Sequence, residues 1–320
     1  MGRFGLGSDD ARRVGIGGIG DRWASLNDQR ALADELFGSS GQGLISEWLS
    51  EQTDLVDDAD FAREFAEHLK LPGIAAADYA HRIVGTTHGE LLGGIRFYGR
   101  DSARPFVDVL AHSFDDIDAL KRCVGWEWSN FSIRYLRLRT RPGLLAGRPD
   151  VILDRTIHLA RYREMTPSDG RVALDRFDTA DEAIDLVAAR YRRVAETDPD
   201  LFANIRQADP DDLRDWHTID HLRAIRLHGR TIGALAIAPG AIDWIIGDEI
   251  IEEVVSAEHA GHGYAVSAQC LWAQTMAADA DRLLIGTIDR HNHPSRGTAH
   301  RAGRARVLDD IFVITQGVAG

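Results

Sequence analysis

Between about residue 28 and residue 80, apolar side chains return every three or four positions, so DQRALADELF, GLISEWLSEQ and DADFAREFAEHLK each predict an amphipathic helix. The period then changes. HRIVGTTHG, ELLGGIRFYGR and RPFVDVLAHSF carry the short apolar runs of strands, divided by glycine or charged residues. DDIDALKRCVGWEW returns to helical spacing, and FSIRYLRLRT alternates as a strand does.

Residues 141–150, RPGLLAGRPD, have prolines, glycines and no period, and predict a linker. Beyond them the order begins again. TIHLARYREM is a strand, and Thr179 with Glu182 forms a capping box for a helix that places Ile184, Val187, Tyr191 and Val194 on one face. DPDDLRDWHT is a shorter helix, and HLRAIRLHG with TIGALAIAP a hairpin turning at Gly229-Arg230. GDEIIEEVVSAE reads as a strand, GYAVSAQCLWAQTMAAD as a helix, RLLIGTID as a strand, Pro294 to Gly303 as a short helix and ARVLDDIFVIT as a last strand. The two halves look like variations on one architecture. The expectation is an α/β (α+β) chain of two mixed-sheet domains in tandem, 23–145 and 151–320.

Composition narrows the function. At 320 residues and 44% hydrophobic, the chain can bury the cores of two ordinary domains. No window approaches the roughly eighteen uncharged apolar residues of a membrane helix, and the N-terminus lacks an apolar core before a small-residue cleavage site, so a cytoplasmic location is expected. Cys123 and Cys270 lie far apart, which gives neither a disulfide framework nor a thiolate metal cluster. A formal charge of -13 argues against a nucleic-acid partner, which would need a concentrated basic face. Gly15, Gly17 and Gly20 spell a dinucleotide fingerprint, but only Arg13-Val14 stands where the motif needs a strand.

The segment EEVVSAEHAGHGYA, residues 252–265, carries the candidate chemistry. A helix that leaves a strand through glycines offers unpaired N–H groups and the positive end of its dipole. Residues Ala260, Gly261, His262, Gly263, Tyr264 and Ala265 could therefore cradle an anion, with no bulky side chain at Gly261, Gly263 or Ala265 to block the approach.

With Asn292 and the closing Gly303, this run resembles the core of the GNAT superfamily of acyl-CoA-dependent N-acyltransferases. The resemblance implies a strand splayed at a bulge, followed by an Arg/Gln-x-x-Gly-x-Gly/Ala loop that holds the CoA pyrophosphate, here 260–265. The element order from 156 to 314 matches the family's. It implies that the backbone N–H near Val255, at the family's bulge, holds the substrate carbonyl, and that Asn292 caps the short helix, contacts the pantetheine arm with Ser295, or both. Three positions depart from the pattern: Ala260 in place of Arg or Gln, Ala299 where many members have a general-acid tyrosine, and Arg304 where phenylalanine is common.

Acyl transfer to an amine needs a base for the amine proton and a donor for the developing oxyanion. Counting back eleven positions from Ala260 reaches Glu249, the family's position for a base, acting directly or through water; Glu253, four further on, should share its strand face and is the second candidate for the base, with Glu252 on the other face. Tyr264, water, His293 or His300 could protonate the leaving thiolate. His259, His262, His291 and His293 crowd the region without a recognisable metal pattern. Asp115-Asp116 replaces the glycines in the first half, so no CoA is expected there. Trp126, Trp128, Tyr135, Trp216 and Trp244 could line an acceptor cleft or belong to the core. The expected function is transfer of an acetyl or other short acyl group from CoA to a primary amine of a small molecule, without nucleic acid, membrane or metal. The alternatives are a catalytically silent acyl-CoA sensor and an acyltransferase using a carrier-protein donor.

Overall fold

A computed structural model describes residues 22–315; the fingerprint glycines at 15, 17 and 20 lie outside the described residues. Helices α1 (Asn27–Phe37), α2 (Gly41–Asp54) and α3 (Ala59–His68) open the chain. The Asp58 carboxylate starts α3 by accepting the N–H groups of Asp60 and Phe61. Strands β1 (Arg82–Thr86), β2 (Gly89–Phe97) and β3 (Pro105–His112) follow, then α4 (Ile117–Glu127) and β4 (Tyr135–Thr140).

The second half contains β5 (Val151–Arg161), β6 (Ala173–Asp175), α5 (Ala180–Thr197), α6 (Pro199–Phe202), α7 (Pro210–Thr218), β7 (Leu222–Leu227), β8 (Arg230–Ile242), β9 (Ile245–Val255), α8 (Tyr264–Thr275), β10 (Leu283–Asp289), α9 (His293–Arg301) and β11 (Ala305–Ile314). Two local readings are corrected. Thr179 stands before α5, but its side chain accepts no cap bond. The hairpin turns at His228-Gly229, both at positive φ, because the two-residue turn that matches strand twist needs left-handed backbone at both central positions.

All the strands join one sheet, in the order β1-β2-β3-β4-β11-β5-β10-β9-β8-β7-β6. Its two ends are built alike. In each half one parallel pair, β3 with β4 and β9 with β10, interrupts an otherwise antiparallel ladder. The segment at 141–150 divides the chain but not the sheet, because the two sets of strands meet edge to edge: β11 pairs with β4 of the first half on one side and with β5 on the other, and β5 in turn pairs with β10.

Charge at the centre fits that seam. Asp310 of β11 is the cross-strand partner of Arg139 on one side and Arg155 on the other. Arg139 Nε and Nη2 donate to it at 2.7 and 3.0 Å, and Arg155 Nε at 2.5 Å. Arg137 of β4 makes a two-bond pair with Asp108 of β3, at 3.0 and 2.5 Å. Burial works to raise the Asp310 pKa, but Arg139, Arg155 and Arg137 outweigh it and hold the carboxyl well below the ordinary aspartate range.

Helices α1 and α2 lie across the middle of the sheet and bury apolar residues from both halves, among them Leu92, Ile157, Trp244 and Ile285. Trp244 Nε1 donates to Gln29 Oε1 at 2.8 Å within that layer. Helix α4 covers the first half through Leu120 and Val124, in one cluster with Leu136 of β4, α8 packs on Ile232, Leu235 and Leu284, and α5 with α7 encloses the opposite face around Val187 and Leu213.

Asp310→Asn should cost about 3–5 kcal/mol, because it leaves buried guanidinium groups uncompensated. Urea unfolding across pH measures this. A depressed folded-state pKa stabilises above the unfolded value, so the deficit of the variant should be full at neutral pH and shrink as pH falls below about 4.

Candidate active site

Strands β9 and β10 pair only at Asp248 with Leu284 and Glu249 with Ile285, and beyond these residues no ladder joins them. On its other side β9 loses register with β8 between Ile250 and Glu252, which marks a bulge at Ile251. The bulge breaks the alternation of faces. Asp248, which accepts from Tyr162 Oη at 2.8 Å, and Ile250 lie on the side of α8, and so does Glu253, five residues after Asp248. Ile251, Glu252 and Val254 face α5. The expectation that Glu249 and Glu253 share a face is thereby corrected: the extra residue moves Glu253 across.

The α8 side holds the glycine loop. Gly261 and Gly263 both adopt φ of 82°, and Gly263 is the N-cap of α8 with no side-chain cap bond, which leaves the first N–H groups of the helix open. Arg171 braces the loop by donating to the His262 carbonyl at 2.9 Å and to Ser267 Oγ at 2.9 Å. The Tyr264 ring lies 5.4 Å from the same guanidinium. A cavity of about 270 Å³ fronts the loop, lined by Ala260, Gly261, Gly263, Tyr264 and Ala265, and its cationic walls are Arg190 of α5 and Arg301 of α9. They supply positive charge that Ala260 does not. His262 is exposed and contributes its carbonyl to the brace.

A second cavity of about 180 Å³ occupies the gap between β9 and β10 and shares Arg190, Glu253 and Ser295 with the first. Glu252, Tyr191, Asp289, Asn292 and Arg304 also line it. Glu252 is 7% exposed. Burial pushes its pKa up to about 7 against the pull of the Ala208 and Glu253 N–H groups and Tyr191 Oη, which donate at 3.3, 3.2 and 3.4 Å. Burial also raises Glu253, opposed by Gln269 and Arg304; Gln269 Nε2 donates to both its oxygens at 2.9 Å.

Glu249 lines neither cavity; burial raises its pKa, with Arg155 opposing. The Ser256 N–H donates to the Ile232 carbonyl at 2.8 Å, so by antiparallel alternation the Val255 N–H turns away from β8; Val255 lines the loop cavity beside Glu253. The bulge itself lies at Ile251, four positions before Val255. Asn292 caps α9 by accepting the Ser295 N–H at 3.2 Å. Tyr264 borders the loop cavity and not the gap. Among the described residues, no group of three or more His, Cys, Asp or Glu is placed to hold a metal ion, and no helix is long and apolar enough to cross a membrane.

The first half reaches this site. Tyr98, in the turn after β2, donates its hydroxyl to Asp154 at 2.6 Å and lies 3.1 Å from Asp289. Arg104 donates to the Ala203 carbonyl and Asn204 Oδ1 at 3.0 and 2.9 Å, beside Leu201 and Ile205 of the gap's wall. In the corresponding gap of the first half, between β3 and β4, Asp116 accepts the N–H groups of Asp118 and Ala119 at the start of α4, so that helix end is already capped by its own carboxylate. Trp128 and Trp244 are fully buried and Trp216 packs with the α5 layer, whereas Trp126 is exposed. Tyr135 lines a separate cavity with Arg134 and Phe312. These aromatics form no common cleft.

No family model matches the chain, and no curated protein does. Among solved structures the chain is similar to a GNAT-family acetyltransferase from Colwellia psychrerythraea, at 10% identity over 80% of this chain and 95% of that one, with a TM-score of 0.44. It is similar to a GCN5-related N-acetyltransferase from Sphaerobacter thermophilus at 13% identity, over 83% and 94% of the two chains, with a TM-score of 0.44. A tandem GNAT protein from the clavulanic acid biosynthesis pathway is similar at 11% identity, over 82% and 98%, with a TM-score of 0.41. On its own strand order, its parted parallel pair and the glycine loop that opens α8, the second half of the chain has a GNAT-like fold, joined through the β4–β11 pair to a first half of related plan.

Proposed function

We propose that the chain is an acyl-CoA-dependent N-acyltransferase that moves an acetyl or other short acyl group to a primary amine of a small molecule. The observation that carries this reading is the meeting of two cavities at Glu253 and Ser295, one fronting an uncapped helix N-terminus between two arginines and the other holding a buried carboxylate. The donor set suits a diphosphate: open amides of α8, Arg190 and Arg301, with no carboxylate on the loop itself. When bound, the thioester supplies an activated carbonyl and a thiol leaving group.

The protein's own groups do the rest. The α8 amides and the two arginines hold the phosphates, and the wall of α9 at Ser295 guides the arm into the gap. The Val255 N–H, turned away from β8 beside Glu253, is the donor for the carbonyl oxygen as charge develops there. Glu252 takes the proton from the amine; a carboxylate with a pKa of about 7 is half ionised near neutrality and basic enough to accept it. This role passes to Glu252 from Glu249, because the bulge at Ile251 puts Glu252 in the gap. Asp289, anchored by Tyr98, gives the acceptor side a second carboxylate, which suits a cationic amine.

Glu252→Gln should lower kcat/KM for thiol release by about 100-fold or more, with CoA affinity retained, and the acid limb near pH 7 should vanish from its profile. Equal turnover by the variant, or an unchanged limb, removes Glu252 from the mechanism. A raised carboxyl pKa withdraws stability as pH rises through the folded value, so Glu252→Gln should gain on the wild type in thermal melts between pH 5 and 8. Calorimetric titration with CoA tests the phosphate grip: Arg301→Ala and Arg190→Ala should each weaken binding about tenfold. Binding without turnover over a panel of amines would favour a silent sensor.

A further inference from the structure

Arg304 begins the run into β11 and is 4% exposed. Among the described residues the one hydrogen bond of its side chain runs from Nε to Gln269 Oε1, at 3.1 Å, while Nη1 is enclosed without a partner. Leaving a charged donor buried and unpaired costs more than the roughly 1–3 kcal/mol of a neutral one, so such a group in a cavity wall points to something that comes to meet it. Glu253 is the nearby counter-charge, but the Gln269 amide stands between them: its Nε2 is engaged by both Glu253 oxygens and its Oε1 by Arg304. No carboxylate forms an ion pair with Arg304 among the described residues. Gly286 makes room for the guanidinium, since a Cβ there would lie 3.0 Å from Nη1.

Position decides which substrate Arg304 faces. It lines the gap with Gly286, Glu253 and Ser295, on the α8 side from which the loop cavity opens, whereas Glu252 and Tyr191 stand on the α5 side. A chain entering from the loop cavity past Ser295 and Glu253 therefore comes to Arg304 first. We propose that Arg304 receives a carboxylate at the far end of the donor's acyl chain, so that the preferred donors are dicarboxylic monoacyl thioesters such as malonyl- or succinyl-CoA. A planar guanidinium held at Nε and open at Nη1 is suited to a carboxylate. The gap, at about 180 Å³, has room for a chain of a few carbons. The inference rests on the acyl-CoA reading of the site.

Calorimetric titration without acceptor separates the two. The wild-type protein should bind succinyl-CoA at least about tenfold more tightly than butyryl-CoA, a chain of equal carbon count without the charge. Arg304→Met should erase that preference while free CoA binds as before. Gly286→Ala, which displaces the guanidinium without removing it, should do the same and serves if the first variant does not fold. Equal wild-type affinity for the two esters overturns the proposal and leaves the donor reading standing, as does a preference that survives in both variants; so does a carboxylate effect that appears only with acceptors, which would place the anion on the other substrate. Failure to bind free CoA overturns the donor reading and the inference with it.

Discussion

The structure turns on the register of its last strand. β11 lies between a strand from the first half and a strand from the second, and Asp310 meets an arginine on each side in the ladder itself. A slip of one residue would send that carboxylate to the opposite face and leave both guanidinium groups buried without it. The same register sets where α9 ends and β11 begins, and hence where Arg304 stands. Ordering at the centre of the sheet and geometry at the site are thus linked by six residues of one strand.

Much of the second half was legible from periodicity. The strand, loop and helix from 245 to 275 follow their pattern because each buries a face of its own, and the glycines at 261 and 263 announce the left-handed turns they adopt. What could not be read was anything dependent on a partner distant in sequence. The pairing of β11 with β4 of the first half is invisible locally, since each is an ordinary apolar strand, and the three-residue β6 is too short to show a period. Arg190, Arg301 and Arg304 look in sequence like the solvated charges of helices and strand ends; only the fold brings them to one cavity system.

The misplaced glutamate has a more specific cause. Counting by twos along β9 assumes an unbroken pleat, and one extra residue at Ile251 reverses every later side chain. EIIEEVV offers no glycine or proline to mark the irregularity. The signal that could have raised Glu252 is chemical: two adjacent glutamates in an otherwise apolar strand guarantee one on each face of a regular strand, so one must be buried whichever way the pleat runs.

The seam between β4 and β11 also bears on how such a molecule can be divided. Cleavage in the linker would leave the amino-terminal fragment with β4 as a bare edge, and the carboxy-terminal fragment with β11 unpaired on its outer side. Each open edge is the complement of the other, with matching charges at Arg139 and Asp310. The polypeptide is therefore a natural candidate for reassembly from two separately made pieces, since the break would fall in a run of turns between strands and the reunion at a ladder specified by both pairing and charge.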